Sequence, residues 1–133
     1  MPGREVSIVI SGNIDTIKLV ESVELVLENN KDGFFDKLYS YEIKKNEDDV
    51  VTNQLIKSEI SQDTIAKAIK VFKLLGKVEN LRIDGRLHNS EFKLMELSPD
   101  IHFGKGSTFS HAFKATGIHY GEMMRMLIEN AVY

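Results

Sequence analysis

The 133-residue chain contains no cysteine, so neither a disulfide framework nor thiolate chemistry is open to it. Proline is scarce, at Pro2 and Pro99 only, and no internal repeat or low-complexity tract marks off a second unit. Positive charge is not in excess. The 17 Lys and Arg stand against 20 Asp and Glu, a formal net charge of −3, which gives no reason to expect nucleic acid as a partner. No run approaches the roughly 20 apolar residues that span a membrane. The opening MPGREVSIVISG lacks the long apolar core of a signal peptide. The expected location is the cytoplasm, with no membrane partner.

What is present fits one soluble globular domain over residues 1–133, with 42% hydrophobic and 28% charged residues and length enough for one core. EVSIVIS (5–11) alternates Val6, Ile8 and Ile10 and predicts a strand. Residues 16–28 place Ile17, Leu19, Val23, Leu25 and Leu27 in period-2 phase, with Glu21 breaking the apolar set. Glu24 falls on the other face. A third strand is expected over 37–45, KLYSYEIKK, and a polar loop over 46–58. Ser61 is an N-cap candidate, and Ile65, Ile69, Phe72 and Leu75 follow at helical spacing up to Gly76. Phe109, Ala112 and Phe113 suit a short helix stopped by Gly117. Tyr120, Met123, Met124, Leu127 and Ala131 suit a last amphipathic helix. The order β-β-β-α-β-β-α-α predicts an α+β domain, an antiparallel sheet with helices packed on one face.

Leu81 to Pro99, LRIDGRLHNSEFKLMELSP, reads as two strands and a tight turn. Facing residues in an antiparallel pair have a constant index sum. A two-residue loop at Asn89-Ser90 makes that sum odd and points Asp84 and Glu96 to opposite faces. A three-residue loop, or one bulge, makes it even and unites them. Hydrophobicity favours the second case, with Leu81, Ile83, Leu87, Met95 and Leu97 on the buried face. Arg82, Asp84, Arg86, Glu96 and Ser98 then line the other. Two carboxylates beside a guanidinium suit Mg²⁺ carrying nucleotide phosphates. Spacing alone equally allows, and by frequency favours, a solvated sheet face with cross-strand ion pairs such as Arg82 with Glu96.

Other candidates carry less. GKGST (104–108) is not a P-loop, because its lysine precedes the second glycine. It reads as a loop leading to a helix N-cap, able to hold one anion on backbone N–H groups. His88, His102, His111 and His119 lack the i, i+4 spacing of a zinc helix. His88 falls at the hairpin turn. MMRML (123–127) reads as helix packing.

The order RID, hairpin, ELSP, a loop of Gly and Ser, then GIHYGEMMRMLIENA resembles the C-terminal end of the ATP-grasp fold. The likeness is to carboxylate–amine ligases of the D-alanine–D-alanine ligase type. REVSIVISGN resembles the strand entering that subdomain, and YSYEIK its tyrosine-rich strand ending in a phosphate-contacting lysine. The resemblance implies ATP and Mg²⁺ as cofactors. It implies Asp84 and Glu96 as metal ligands, with Ser98 where the family has an asparagine ligand to a second metal. A serine hydroxyl is a shorter and weaker ligand. Arg82 is implied at phosphate or the tetrahedral intermediate, and Lys44 at the terminal phosphates. Gly104, Gly106 and Ser107 correspond to the loop that binds acceptor and oxyanion. Pro99-Asp100 departs from the family pattern. The implied reaction joins a small carboxylate to an amine through an acylphosphate. The family's preceding subdomain, which supplies the adenine pocket, is expected to be missing from this chain. The expected partner is therefore that subdomain or a second copy of the chain, and the chain alone is expected to have little ligase activity. The competing expectation is a non-catalytic remnant serving as an oligomerisation or partner-binding module.

Overall fold

A computed structural model describes residues 2–27, 51–56 and 59–131 of the chain. The described elements are β1 (Arg4–Gly12), β2 (Ile17–Leu27), β3 (Val51–Leu55), α1 (Gln62–Leu75), β4 (Asn80–His88), β5 (Glu91–Ser98), α2 (Thr108–Ala115) and α3 (Tyr120–Ala131). The strands form one antiparallel sheet in the order β3-β2-β1-β4-β5. This is the expected α+β architecture. The strand expected over 37–45 lies outside the described residues. Val51–Leu55 was expected within a loop and instead pairs with β2 from Val23–Leu55 to Leu27–Val51. VTNQL carries no clear alternation. Its strand conformation is imposed by pairing with β2, a tertiary effect that local propensity does not encode.

β1 is the central strand, and it is apolar on both sides. Val6, Ile8 and Ile10 join Leu81, Ile83 and Leu87 on one face, where α1 supplies Ala68 and Phe72. Val9 joins Leu19 and Val23 on the other face, where α2 and α3 supply Phe109, Ala112, Phe113, Met123 and Leu127. The helices thus divide between the faces instead of packing on one as expected, because a strand that is apolar on both sides needs cover on both. Phe109 meets Phe103 edge-on with centroids 5.4 Å apart, and Phe113 at 5.2 Å. Burying each such ring stabilises the fold by about 1.5–3 kcal/mol.

The helix ends follow the sequence signals. The Ser61 side chain accepts from Thr64 N–H, and Gly76, at φ 77°, closes α1 with its N–H on Lys73 O. In α3 the third buried position is Asn130, while Ala131 is exposed. No helix among the described residues is long and apolar enough to cross a membrane.

Candidate functional site

The β4–β5 hairpin resolves the parity question through the bulge and not through a three-residue loop. The turn is the two-residue loop, with Asn89 at φ 50° and Ser90 at φ 63°, as a two-residue hairpin of type I′ requires. His88 ends β4 just before it. From His88–Glu91 to Gly85–Leu94 the register has the odd sum. A bulge between Asp84 and Gly85 then shifts it, so that Asp84 pairs with Glu96, Ile83 with Leu97 and Arg82 with Ser98. Met95 is the inserted residue. The bulge places both carboxylates on one face.

Gly85 permits the close approach at this point. A Cβ there would lie 2.4 Å from the Phe92 ring and 2.5 Å from the Lys93 carbonyl oxygen. The expected burial of Met95 and Leu97 does not hold. Met95 is 43% and Leu97 38% exposed, and Leu94 55%. Among the described residues β5 is the sheet edge, and Leu94 and Leu97 flank an open groove beside Ala68 and Val71 of α1.

The site face is a set of rows crossing the sheet. One row runs Val23–Ser7–Asp84–Glu96 and the next Glu21–Val9–Arg82–Ser98. Directly opposed residues in such rows stand about 4.5–5.5 Å apart. α2 and α3 cover β1 and β2 on this face, and no β4 or β5 residue joins that cluster. Arg82, Asp84, Glu96 and Ser98 share this face on β4 and β5, with Arg82, Asp84 and Ser98 half-buried and Glu96 exposed. Glu21 is buried in β2 on this face, and Glu24 lies on the opposite face, as the strand phase predicts.

Arg82 pairs with Asp84 on its own strand rather than across to Glu96. Its Nε donates to both carboxylate oxygens at 3.0 Å, and Nη2 lies 2.9 Å from Oδ2. Ser7 Oγ donates to Asp84 Oδ1 at 2.6 Å. Glu96 is exposed and makes no ion pair among the described residues. Arg86 was expected on the solvated face. It does lie on that face, yet it is 1% exposed. Its Nη1 donates to Gly3 O at 2.7 Å and Nη2 lies 3.6 Å from Glu5 Oε2.

The chain leaves β5 through Ile101 and Phe103, which pack into the α2–α3 cluster. Ser107 N-caps α2, with its Oγ accepting from Ser110 N–H at 3.1 Å. Gly104 O accepts Ser107 N–H at 3.0 Å and Ser110 Oγ–H at 2.9 Å. The loop is thus held by its own caps, and its α2 end packs on the site's side of the sheet. Lys44 lies outside the described residues. Ser7 was missed by sequence reasoning. Its signal was a lone hydroxyl inside the apolar run VSIVI.

No group of three or more His, Asp or Glu converges among the described residues. Asp84, Glu96 and Ser98 share one face of the hairpin and offer only oxygen donors. That set suits Mg²⁺, which takes one or two carboxylates and completes its shell with water and phosphate, and does not suit zinc.

The family model described as D-ala D-ala ligase C-terminus matches residues 1–129. No curated protein matches the chain. Among solved structures, a D-alanine–D-alanine ligase from Bacillus anthracis complexed with ATP is 15% identical with a TM-score of 0.68. It is matched over 99% of this chain and 39% of its own length. A second structure of the D-alanine–D-alanine ligase from that organism is 18% identical with a TM-score of 0.68, over 99% of this chain and 41% of that one. The VanG D-Ala:D-Ser ligase from Enterococcus faecalis is 24% identical with a TM-score of 0.66, over 99% and 37%. The chain therefore spans about two fifths of the length of these ligases.

Proposed function

Because the chain belongs to the D-ala D-ala ligase C-terminal family, we propose that it forms the metal- and phosphate-facing wall of an ATP-dependent carboxylate–amine ligase. The observation that carries this reading is the cross-strand pairing of Asp84 with Glu96, made possible by the single bulge beside Gly85. Asp84, Glu96 and Ser98 would hold Mg²⁺, which when bound screens the charge of the nucleotide phosphates.

The remaining roles belong to the chain's own groups. Arg82 holds Asp84 in place and keeps guanidinium N–H groups beside the face where phosphate would lie. It is the residue assigned to the charge that develops during phosphoryl transfer and on the tetrahedral intermediate. Gly104 and Ser107 are assigned to the acceptor side, where the N-terminus of α2 presents N–H groups. Ser107 would do so while its hydroxyl caps the helix. Lys44 is assigned to the terminal phosphate. The carboxylate substrate would pass through an acylphosphate that the amine attacks. The adenine-binding half would come from a preceding subdomain or from a partner chain.

Titrating the chain with Mg–ATP by calorimetry or NMR, in wild-type, Asp84→Asn and Glu96→Gln forms, tests the reading. Each substitution is expected to weaken Mg-dependent nucleotide binding by about tenfold or more. Equal binding by all three would favour a non-catalytic module that keeps the fold without the chemistry.

A further inference from the structure

We infer that Ser7 is a positioning residue for Asp84, fixing the carboxylate that the proposed function assigns to the metal; the inference rests on that reading. Ser7 sits in the middle of the central strand and is only 4% exposed. Its neighbours Val6, Ile8 and Val9 are fully buried core residues. The next position on its face, Val9, packs under α2 and α3. A hydroxyl at such a position costs stability unless it is hydrogen-bonded. This one is spent on Asp84 Oδ1, at a distance of 2.6 Å, which is the length of a charge-assisted O–H···O⁻ bond.

The register makes the contact specific. Ser7 pairs directly with Asp84, and Asp84 directly with Glu96, so the three lie in one row across three strands. Arg82 grips Asp84 from along the strand, while Ser7 grips it from across the sheet. Two grips from different directions leave one side-chain rotamer. The rotamer is held from the interior strand β1, whereas Glu96 stands at the edge of the sheet formed by the described residues. Ser7 is thus an outer-shell partner that orients a ligand without touching the metal.

Ser7→Val and Ser7→Thr separate this role from packing, since they match in shape and only threonine keeps the hydroxyl. The probe is Mn²⁺ in place of Mg²⁺, read as paramagnetic broadening of the β4–β5 amides, together with the χ1 couplings of Asp84 in metal-free protein. Ser7→Val is expected to average the Asp84 χ1 couplings and to weaken Mn²⁺ binding about tenfold, while Ser7→Thr restores both. A Ser7→Val protein with a fixed Asp84 rotamer and wild-type Mn²⁺ affinity would overturn the inference and leave the metal reading standing. A wild-type protein showing no broadening at Asp84 and Glu96 would overturn the metal reading itself, and Ser7's role with it.

Discussion

Glu24 and Arg86 are charged groups buried by the fold, and each makes a separate forecast. Burial pushes the Glu24 carboxyl above its ordinary value, more than Arg4 at 3.5 Å pulls it down, and Glu59 adds to the rise. The hydrogen bond to Glu59 in turn raises Arg4. Glu24 thus holds its proton more tightly in the folded than in the unfolded state. Its favourable contribution is full below the ordinary glutamate range and is lost as pH rises through the raised value. Stability measured by denaturant midpoint should carry this decline as pH rises from about 4 towards neutrality, and Glu24→Gln should flatten it. Arg86 is different, because its charge is fully enclosed and held by Gly3 O and Glu5. Arg86→Ala should cost about 3–5 kcal/mol in chemical denaturation, since it leaves Glu5 without this cation and opens a cavity. At this scale the sequence was only partly readable. Asp84, Glu96 and Arg82 stand out in RID and ELS as polar residues in strand phase. Ser7 and Arg86 do not, because their meaning depends on what lies across the sheet.

The hairpin is the element on which the site depends, and its bulge is the point of sensitivity. Gly85→Ala would drive a methyl group into the Phe92 ring and the Lys93 carbonyl. The expected cost is about 1–3 kcal/mol by thermal or chemical melting, the usual scale for overpacking. Deleting Met95 is a sharper test. It removes the inserted residue, so that Glu96 follows Leu94 directly and the ladder runs regularly from the turn, with Glu96 still opposite Asp84. The hairpin and the Mn²⁺ broadening at Asp84 should both survive, and loss of the broadening would show that the pairing of Asp84 with Glu96 is not what holds the metal. Parity arithmetic on the sequence reached the requirement for an odd loop or a bulge, but could not choose between them. The choice rests on Asn89 and Ser90 both taking positive φ, which seats the two-residue turn and leaves the bulge to correct the register. Helix α1 was readable from its cap and its spacing, except that Leu75 is 45% exposed at the helix end. The short strand β3 was not readable, since its pairing comes from β2.

For the molecule as a whole, the match over residues 1–129 and the share of the relatives that it covers set the forecast. The purified 133-residue chain should release no ADP in the presence of ATP, Mg²⁺ and small carboxylate and amine substrates. Substrate-dependent ADP release from the chain alone would sink the idea that catalysis needs a preceding subdomain. The division of helices between the two faces was beyond reach of element order, which is the same whichever face α2 and α3 choose. Only the double-sided burial of β1 decides it. The placement of the two acids has a consequence for exchange with solvent. Asp84 belongs to a strand paired on both sides, whereas Glu96 belongs to one that, among the described residues, is paired on one side only. Edge strands open more often than the strands they lean on. Each opening takes the site apart without unfolding the domain, so apparent affinity is scaled by the fraction of time β5 stays docked. A ligand bridging Asp84 and Glu96 would slow amide exchange in Glu91–Ser98 far more than in β1, acting as the clasp on a strand that otherwise frays.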